Sequence, residues 1–183
     1  MVCRRVCTGK AGAVGTDPFD QLMASSDPAL VVVTTAAGDE RAGCLVGFHG
    51  QSSMEPHGYA VWISKANHTF GVAIRASHLA VHFLRADDHE LARTFGAQTG
   101  DEVDKFEQVP WRRGPQGVPV LTGCDHGLVG RKEAVLDDGG DHVVFTIDPV
   151  EVWSREPFTP LRTSDVDDLS PAHDPTEHPD HPR

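Results

Sequence analysis

Three short clusters in this chain carry residue types that could do chemistry. The first is Ser64-Lys65-Ala66-Asn67-His68-Thr69, which lies between a β-branched apolar run and a helical pattern. A helix start offers unpaired N–H groups and a positive dipole end to an anion. Lys65 adds a full positive charge, and Asn67 and Thr69 add hydrogen bonds. The spacing reads as a phosphate seat, or as an ordinary cap by Asn67 with Lys65 in water. The second cluster is the turn-like stretch from Gly50 to Pro56. Gln51, Ser52 and Ser53 concentrate an amide, hydroxyls and backbone N–H groups that could hold a phosphate or a polar ring. A loop that satisfies its own backbone is the plainer reading. The third is Gly140-Asp141-His142, which opens a strand. An imidazole beside a carboxylate titrates near neutrality and can serve a ligand, or is simply a half-buried strand residue after a turn.

Other chemistry has less support. No Gly-x-Gly-x-x-Gly follows a strand, and there is no Walker-type loop or Gly-x-Ser-x-Gly elbow. Cys3, Cys7, Cys44 and Cys124 do not form a disulfide framework, and Cys44 and Cys124 sit in apolar surroundings. Cys3 and Cys7 lack the second half of a zinc site, and a solvated tail explains His173, His178 and His181 better than a metal tract does. No metal is expected.

The elements that must position these clusters are mostly strands. Asp17-Pro18 starts a short helix through Leu22 and Met23. Ala29 to Thr35 is β-branched and continuous, which predicts a buried strand, and Arg41 to His49 completes a hairpin with it. Tyr59 to Ser64 and Leu79 to Leu84 predict two more strands, separated by a helix from Asn67 or His68 to Ala76. Asp87 or Asp88 caps a helix that stops at Gly96. Asp104-Lys105-Phe106 and Trp111 fall in a loop-like stretch. Val118 to Leu121, Cys124 to Leu136 and Asp141 to Ile147 are strands, with a further short one from Val150 to Ser154. Short strands at close spacing, without a βαβ rhythm, predict an antiparallel barrel.

The chain of 183 residues carries 16 Lys and Arg against 27 Asp and Glu, a formal charge of −11. That balance argues against a general nucleic-acid binder, which needs a basic face. No apolar run approaches the ~20 residues of a spanning helix, and no secretory leader is readable. A cytoplasmic location is the expectation. Residues 1–16 read as a flexible N-terminus and 17–161 as one folded domain. Residues 162–183 read as an acidic, Pro-rich tail that cannot bury enough surface to order itself.

The ordered segments AGCLVGFHGQSSMEP, SKANHTFGVAIRASHLAVHFL, DKFEQVPWRRGPQGVPVL and GGDHVVF resemble the flavin reductase family of FMN-binding split barrels, over about Asp17 to Trp153. The resemblance implies a mainly β fold with peripheral helices: a six-stranded antiparallel split barrel that forms a homodimer, with flavin near the interface. It implies hydride transfer from NADH or NADPH to FMN, or to FAD in its place. The reduced flavin then goes to O₂ or a partner monooxygenase. Gly43, Ser53 and Pro56 match the family's flavin-lining stretch, while Leu45, Val46, Gly47 and Phe48 replace its hydroxyl-bearing run. The N–H groups of Val46, Gly47 and Phe48 are then expected to meet the flavin's pyrimidine edge, with Gln51, Ser52 and Ser53 following. Lys65, Asn67, His68 and Thr69 match the phosphate segment. Lys105 and Phe106 fit a loop that reaches the cofactor. His142 matches the catalytic-site His, which would orient nicotinamide or flavin, since hydride transfer belongs to the cofactors. Arg112-Arg113 is a weaker candidate for a 2′-phosphate contact than for a solvated pair. The altered Leu45–Phe48 segment also allows a flavin store or electron carrier without its own reductase activity. A split barrel turned to haem has little in the sequence to support it.

Overall fold

The computed structural model describes residues 17–97 and 103–166. Helix α1 (Pro18–Ser26) starts where predicted: Asp17 accepts the Phe19 N–H at 2.8 Å, and proline occupies the first turn. Then follow β1 (Val31–Ala37), β2 (Glu40–Val46), β3 (His49–Met54), β4 (His57–Ser64), α2 (His68–Arg75), β5 (His78–Phe83) and α3 (His89–Gly96). After a 3-10 turn at Lys105–Glu107 come β6 (Trp111–Arg113), β7 (Pro119–Leu121), β8 (His126–Leu136) and β9 (His142–Ser154). Gly38, at φ 62°, makes the tight β1–β2 turn, and Gly139, at φ 92°, lies in the β8–β9 turn.

The main sheet has seven strands, not the six expected, in the order β2-β1-β5-β8-β9-β4-β3, and β6 and β7 form a separate pair. All neighbouring pairs are antiparallel. Among the described residues no ladder joins β2 to β3, so the barrel stays open there. The extra strand is β3. It occupies what looks like a turn in sequence, because its residues are polar and its Gln51–Ser53 step is bulged. Accordingly the second strand ends at Val46 rather than His49. The two strands expected over 141–147 and 150–154 are one continuous β9, long enough to hold β8 and β4 together.

β1 is apolar on both faces because it separates two cores. Inside the barrel, Val31 and Val33 pack with Leu79, Val81, Ile63, Phe145 and Ile147. Outside it, Leu30 and Val32 pack with Leu84, Phe95, Phe106 and Leu161. The packed chain continues through Val166, and Thr163 donates to the Pro28 carbonyl at 3.1 Å. Cys3, Cys7, His173, His178 and His181 lie outside the described residues. Among the described residues no helix is long and apolar enough to cross a membrane.

Two histidines act as internal braces. His49, the first residue of β3, lies 2.9 Å from the Ala29 carbonyl through Nε2 and 2.6 Å from the Tyr59 hydroxyl through Nδ1. The carbonyl can only accept, so Nε2 carries the proton and Nδ1 accepts from Tyr59. Burial lowers the His49 pKa and raises that of Tyr59 to about 12, so both stay neutral. His82 is fully buried; its Nδ1 meets the Val32 carbonyl and its Nε2 accepts from the Leu121 N–H. Burial pushes its pKa down from 6.5 to about 4. The unfolded chain therefore binds the extra proton. The stability from this group is complete above about pH 6.5 and is lost as pH falls toward 4. We expect the thermal midpoint to fall across that window. His82→Gln should flatten part of the fall, the remainder including His49 and His78, whose pKa values are also lowered, and should lower stability at pH 7 by about 1–3 kcal/mol. Calorimetry at a series of pH values checks both.

Candidate active site

The groove at the open edge begins with the register of β2. Leu30, just before β1, gives its carbonyl to the Leu84 N–H on the β5 side. By the two-residue alternation, Val31, Val33 and Thr35 face β2, where they pair with Val46, Cys44 and Ala42. Gly43 and Leu45 therefore direct N–H and C=O outward. The Gly43 carbonyl confirms this, since it accepts from Lys105 Nζ at 3.1 Å. Leu45 faces the open part of the edge.

Two compartments lie along this edge. An apolar one of about 260 Å³ is lined by Cys44, Leu45, Val46, Gly47, Phe48, Trp62, Ile63, Ser64, Asn67 and His142. A polar one of about 400 Å³ includes Glu40, Arg41, Gly43, His68, Asp104, Lys105 and Phe106. They abut at Gly43–Cys44 and Asn67–His68. The His142 and Phe48 rings are 5.2 Å apart, and His142 Nδ1 is 3.0 Å from Asp141.

Of the residues singled out in the sequence, Val46, Gly47, Phe48, Asn67 and His142 line this one apolar compartment. Val46 turns its N–H to β1, and the Phe48 carbonyl accepts the Trp62 N–H at 2.9 Å. Leu45, which was not among the expected flavin contacts, also directs its N–H and C=O to this edge. Trp62 was also missed; its alternation with the buried Val61 and Ile63 was the available signal. Gln51, Ser52 and Ser53 are not in the groove. Gln51 bonds the Ser53 carbonyl, and both serines line another cavity with Arg131 and Asp148.

The helix start is capped from within. Asn67 Oδ1 takes the Thr69 N–H at 2.9 Å, and Ser64 Oγ takes the Ala66 N–H at 3.3 Å. Thr69 is buried, its hydroxyl against the Cys44 thiol, which burial raises to about 11. Lys65 Nζ bonds Asp137 at 2.8 Å, and His68 pairs with Glu40 at 3.4 Å. Lys105 points inward rather than toward a ligand. It donates to the Gly43 and Phe95 carbonyls, and burial pushes its pKa down. Phe106 is buried against Phe95 and Trp111. The Arg41 guanidinium stacks on Phe106 and Trp111 and pairs with Asp104, and its buried Nε has no partner among the described residues. Arg112 pairs with Glu151. Among the described residues no group of three potential ligands could hold a metal.

An apolar slot bordered by an outward-facing main-chain edge at Leu45, next to a polar compartment, fits a flat heteroaromatic ring with an anionic tail. The comparisons agree. The model of the flavin reductase like domain matches residues 23–164, and the chain belongs to that family. It is 30% identical over 131 residues to the 4-hydroxyphenylacetate 3-monooxygenase reductase component of Salmonella typhimurium, covering 70% of this chain and 76% of that protein. It is 24% identical over 146 residues to the FMN reductase (NADH) SmoA of Agrobacterium fabrum, covering 79% and 80%. Among solved structures, an FMN-binding protein from Thermus thermophilus superposes with a TM-score of 0.66 at 25% identity, over 84% of this chain and 80% of that one. A flavin reductase domain protein from Arthrobacter sp. FB24 reaches 0.69 at 23% identity, over 78% and 86%.

The register makes a test of the free edge possible. Proline is tolerated on an edge strand where its missing N–H faces outward. Leu45→Pro should therefore keep the β1–β2 ladder and a near-normal melting temperature. It should weaken flavin binding by up to about tenfold, the loss of one hydrogen bond. Fluorescence titration beside a melting curve separates the two effects.

Proposed function

We propose that this chain is a cytoplasmic, homodimeric NAD(P)H:flavin oxidoreductase. It binds FMN, or FAD in its place, and supplies reduced flavin to a partner monooxygenase or another acceptor. The observation that carries this reading is the groove itself, with its apolar slot, the free Leu45 edge, the adjoining polar compartment, and His142 beside Phe48. The named relatives support it, one being a monooxygenase reductase component and another an NADH-dependent FMN reductase.

Bound in the groove, a flavin supplies the chemistry of accepting electrons from reduced nicotinamide and passing them on. The chain's own residues bind and orient. Leu45 N–H and C=O meet the ring's polar edge. Trp62, Ile63 and Phe48 exclude water from its faces, which strengthens every polar contact inside. Lys65 and the start of α2 take the phosphate. His142, held by Asp141, orients the ring or the incoming nicotinamide.

The dimer reading has its own support. Leu136 pairs with Val144, Val144 with Trp62, and Trp62 with the Phe48 carbonyl, so these residues form one row across the sheet. Leu136 is 60% exposed, Trp62 37% and Phe48 58%. A second copy covering this row would shield the apolar slot as well.

With FMN and NADH or NADPH, the purified protein should consume reduced nicotinamide well above an enzyme-free blank. No consumption with either donor, with FMN and FAD both tried, overturns the reductase reading. Sedimentation should give twice the chain mass, and Leu136→Asp should shift the protein toward monomer. A wild-type monomer refutes the dimer alone.

A further inference from the structure

The ammonium assigned above to the phosphate is already paired within the chain. Lys65 Nζ bonds Asp137 Oδ1 at 2.8 Å. The lysine side chain is only 12% exposed and the aspartate 46%, so the ammonium is largely covered while its partner carboxylate reaches solvent. Neither partner is free to drift. The Lys65 N–H bonds the Asp141 carbonyl at 2.9 Å, which fixes the β4 end against the β8–β9 turn. The same Asp137 oxygen accepts the Gly139 N–H at 2.9 Å, which holds its carboxylate in place. Asp138 in the same turn bonds the Gly140 N–H at 3.1 Å instead.

We propose that Asp137 is an intramolecular competitor for the flavin phosphate at Lys65, and so sets how strongly this chain prefers a phosphorylated flavin over an unphosphorylated one. The inference rests on the reading that the groove binds flavin with its phosphate at Lys65. A phosphate entering that seat exchanges one anion for another at the same ammonium. Riboflavin carries no phosphate, so its binding does not require the exchange. Asp137 therefore narrows the affinity gap between FMN and riboflavin.

Asp137→Asn is the direct test, because the amide keeps the oxygen that accepts the Gly139 N–H and removes only the charge. Asp138→Asn makes the same change in net charge without touching Lys65. By fluorescence titration, Asp137→Asn should tighten FMN binding about two- to fivefold, the range of a part-exposed ion pair. Riboflavin binding should be unchanged, and Asp138→Asn should have a smaller effect on FMN. In a Lys65→Ala background, Asp137→Asn should have no effect on the FMN-to-riboflavin ratio. If both flavins bind the wild type but Asp137→Asn leaves the ratio unchanged, or Asp138→Asn matches it, the competitor role is wrong and the flavin reading survives. If neither flavin binds the wild type, the flavin reading fails and takes the competitor role with it.

Discussion

The sheet has to roll up because two residues join its opposite edges. β2 and β3 are the outermost strands of a seven-stranded order, yet only Gly47 and Phe48 separate them in sequence. A flat sheet of that size would put its edges almost 30 Å apart, at about 4.8 Å per strand. Three peptide steps span at most about 10 Å. The sheet therefore curls until its edges meet, but β2 and β3 diverge and never form a ladder. His49 spans the divergence, reaching from β3 to the Ala29 carbonyl ahead of β1 and to Tyr59 on β4. A neutral, half-buried imidazole does this well, since its two nitrogens offer one donor and one acceptor in fixed directions.

The groove is the space left by that incomplete closure. An unpaired edge strand normally invites association with another strand, and proteins cover such edges. Here the covering is divided. At one end Lys105 takes the Gly43 carbonyl, and α3 packs so close that a Cβ on Gly43 would lie 2.8 Å from the Phe95 ring. Burying an unpaired ammonium would cost several kcal/mol. The two carbonyls and the Phe95 face offset that cost, so Lys105 serves as a clamp on the edge. At the other end the Leu45 N–H and C=O face outward in the slot that Phe48 and Trp62 also line. The same edge is closed where the fold needs stability and open where a ligand can complete it.

Much of this was legible in the sequence where local rules decide the outcome. Asp17 and Asn67 cap their helices, Gly38 turns the first hairpin, and the β-branched run at β1 is buried on both faces. His142, read from the sequence as the start of a strand, does open β9, and its ring lies 5.2 Å from that of Phe48. What failed depends on long-range geometry. The polar β3 reads as a turn until its pairing with β4 is known. Lys105 reads as a reaching side chain because composition cannot show that two carbonyls wait for it inside. The free N–H falls to Leu45 rather than Val46 because strand parity is set by β5 on the far side of β1, not by any residue nearby. Thr69 and Asn67 supply the hydrogen-bonding atoms of a phosphate seat, but they direct them to Cys44 and to the helix's own backbone.

The net acidity takes on a more specific meaning at the groove. Its lysine and arginine are already matched by acids, Arg41 by Asp104 and Lys65 by Asp137, and His68 lies 3.4 Å from Glu40. Ion pairs as exposed as Arg41–Asp104 contribute only about 0–1 kcal/mol each, so they add little to folding and yield readily to a stronger anion. A charged hydrogen bond to phosphate is worth more, about 1.5–3 kcal/mol. The acids therefore do not exclude an anionic cofactor. At the proposed Lys65 seat, an entering phosphate would take the place of the Asp137 carboxylate. In such a site the difference between two ligands depends less on how many positive charges line the groove than on which of those charges has a carboxylate to release.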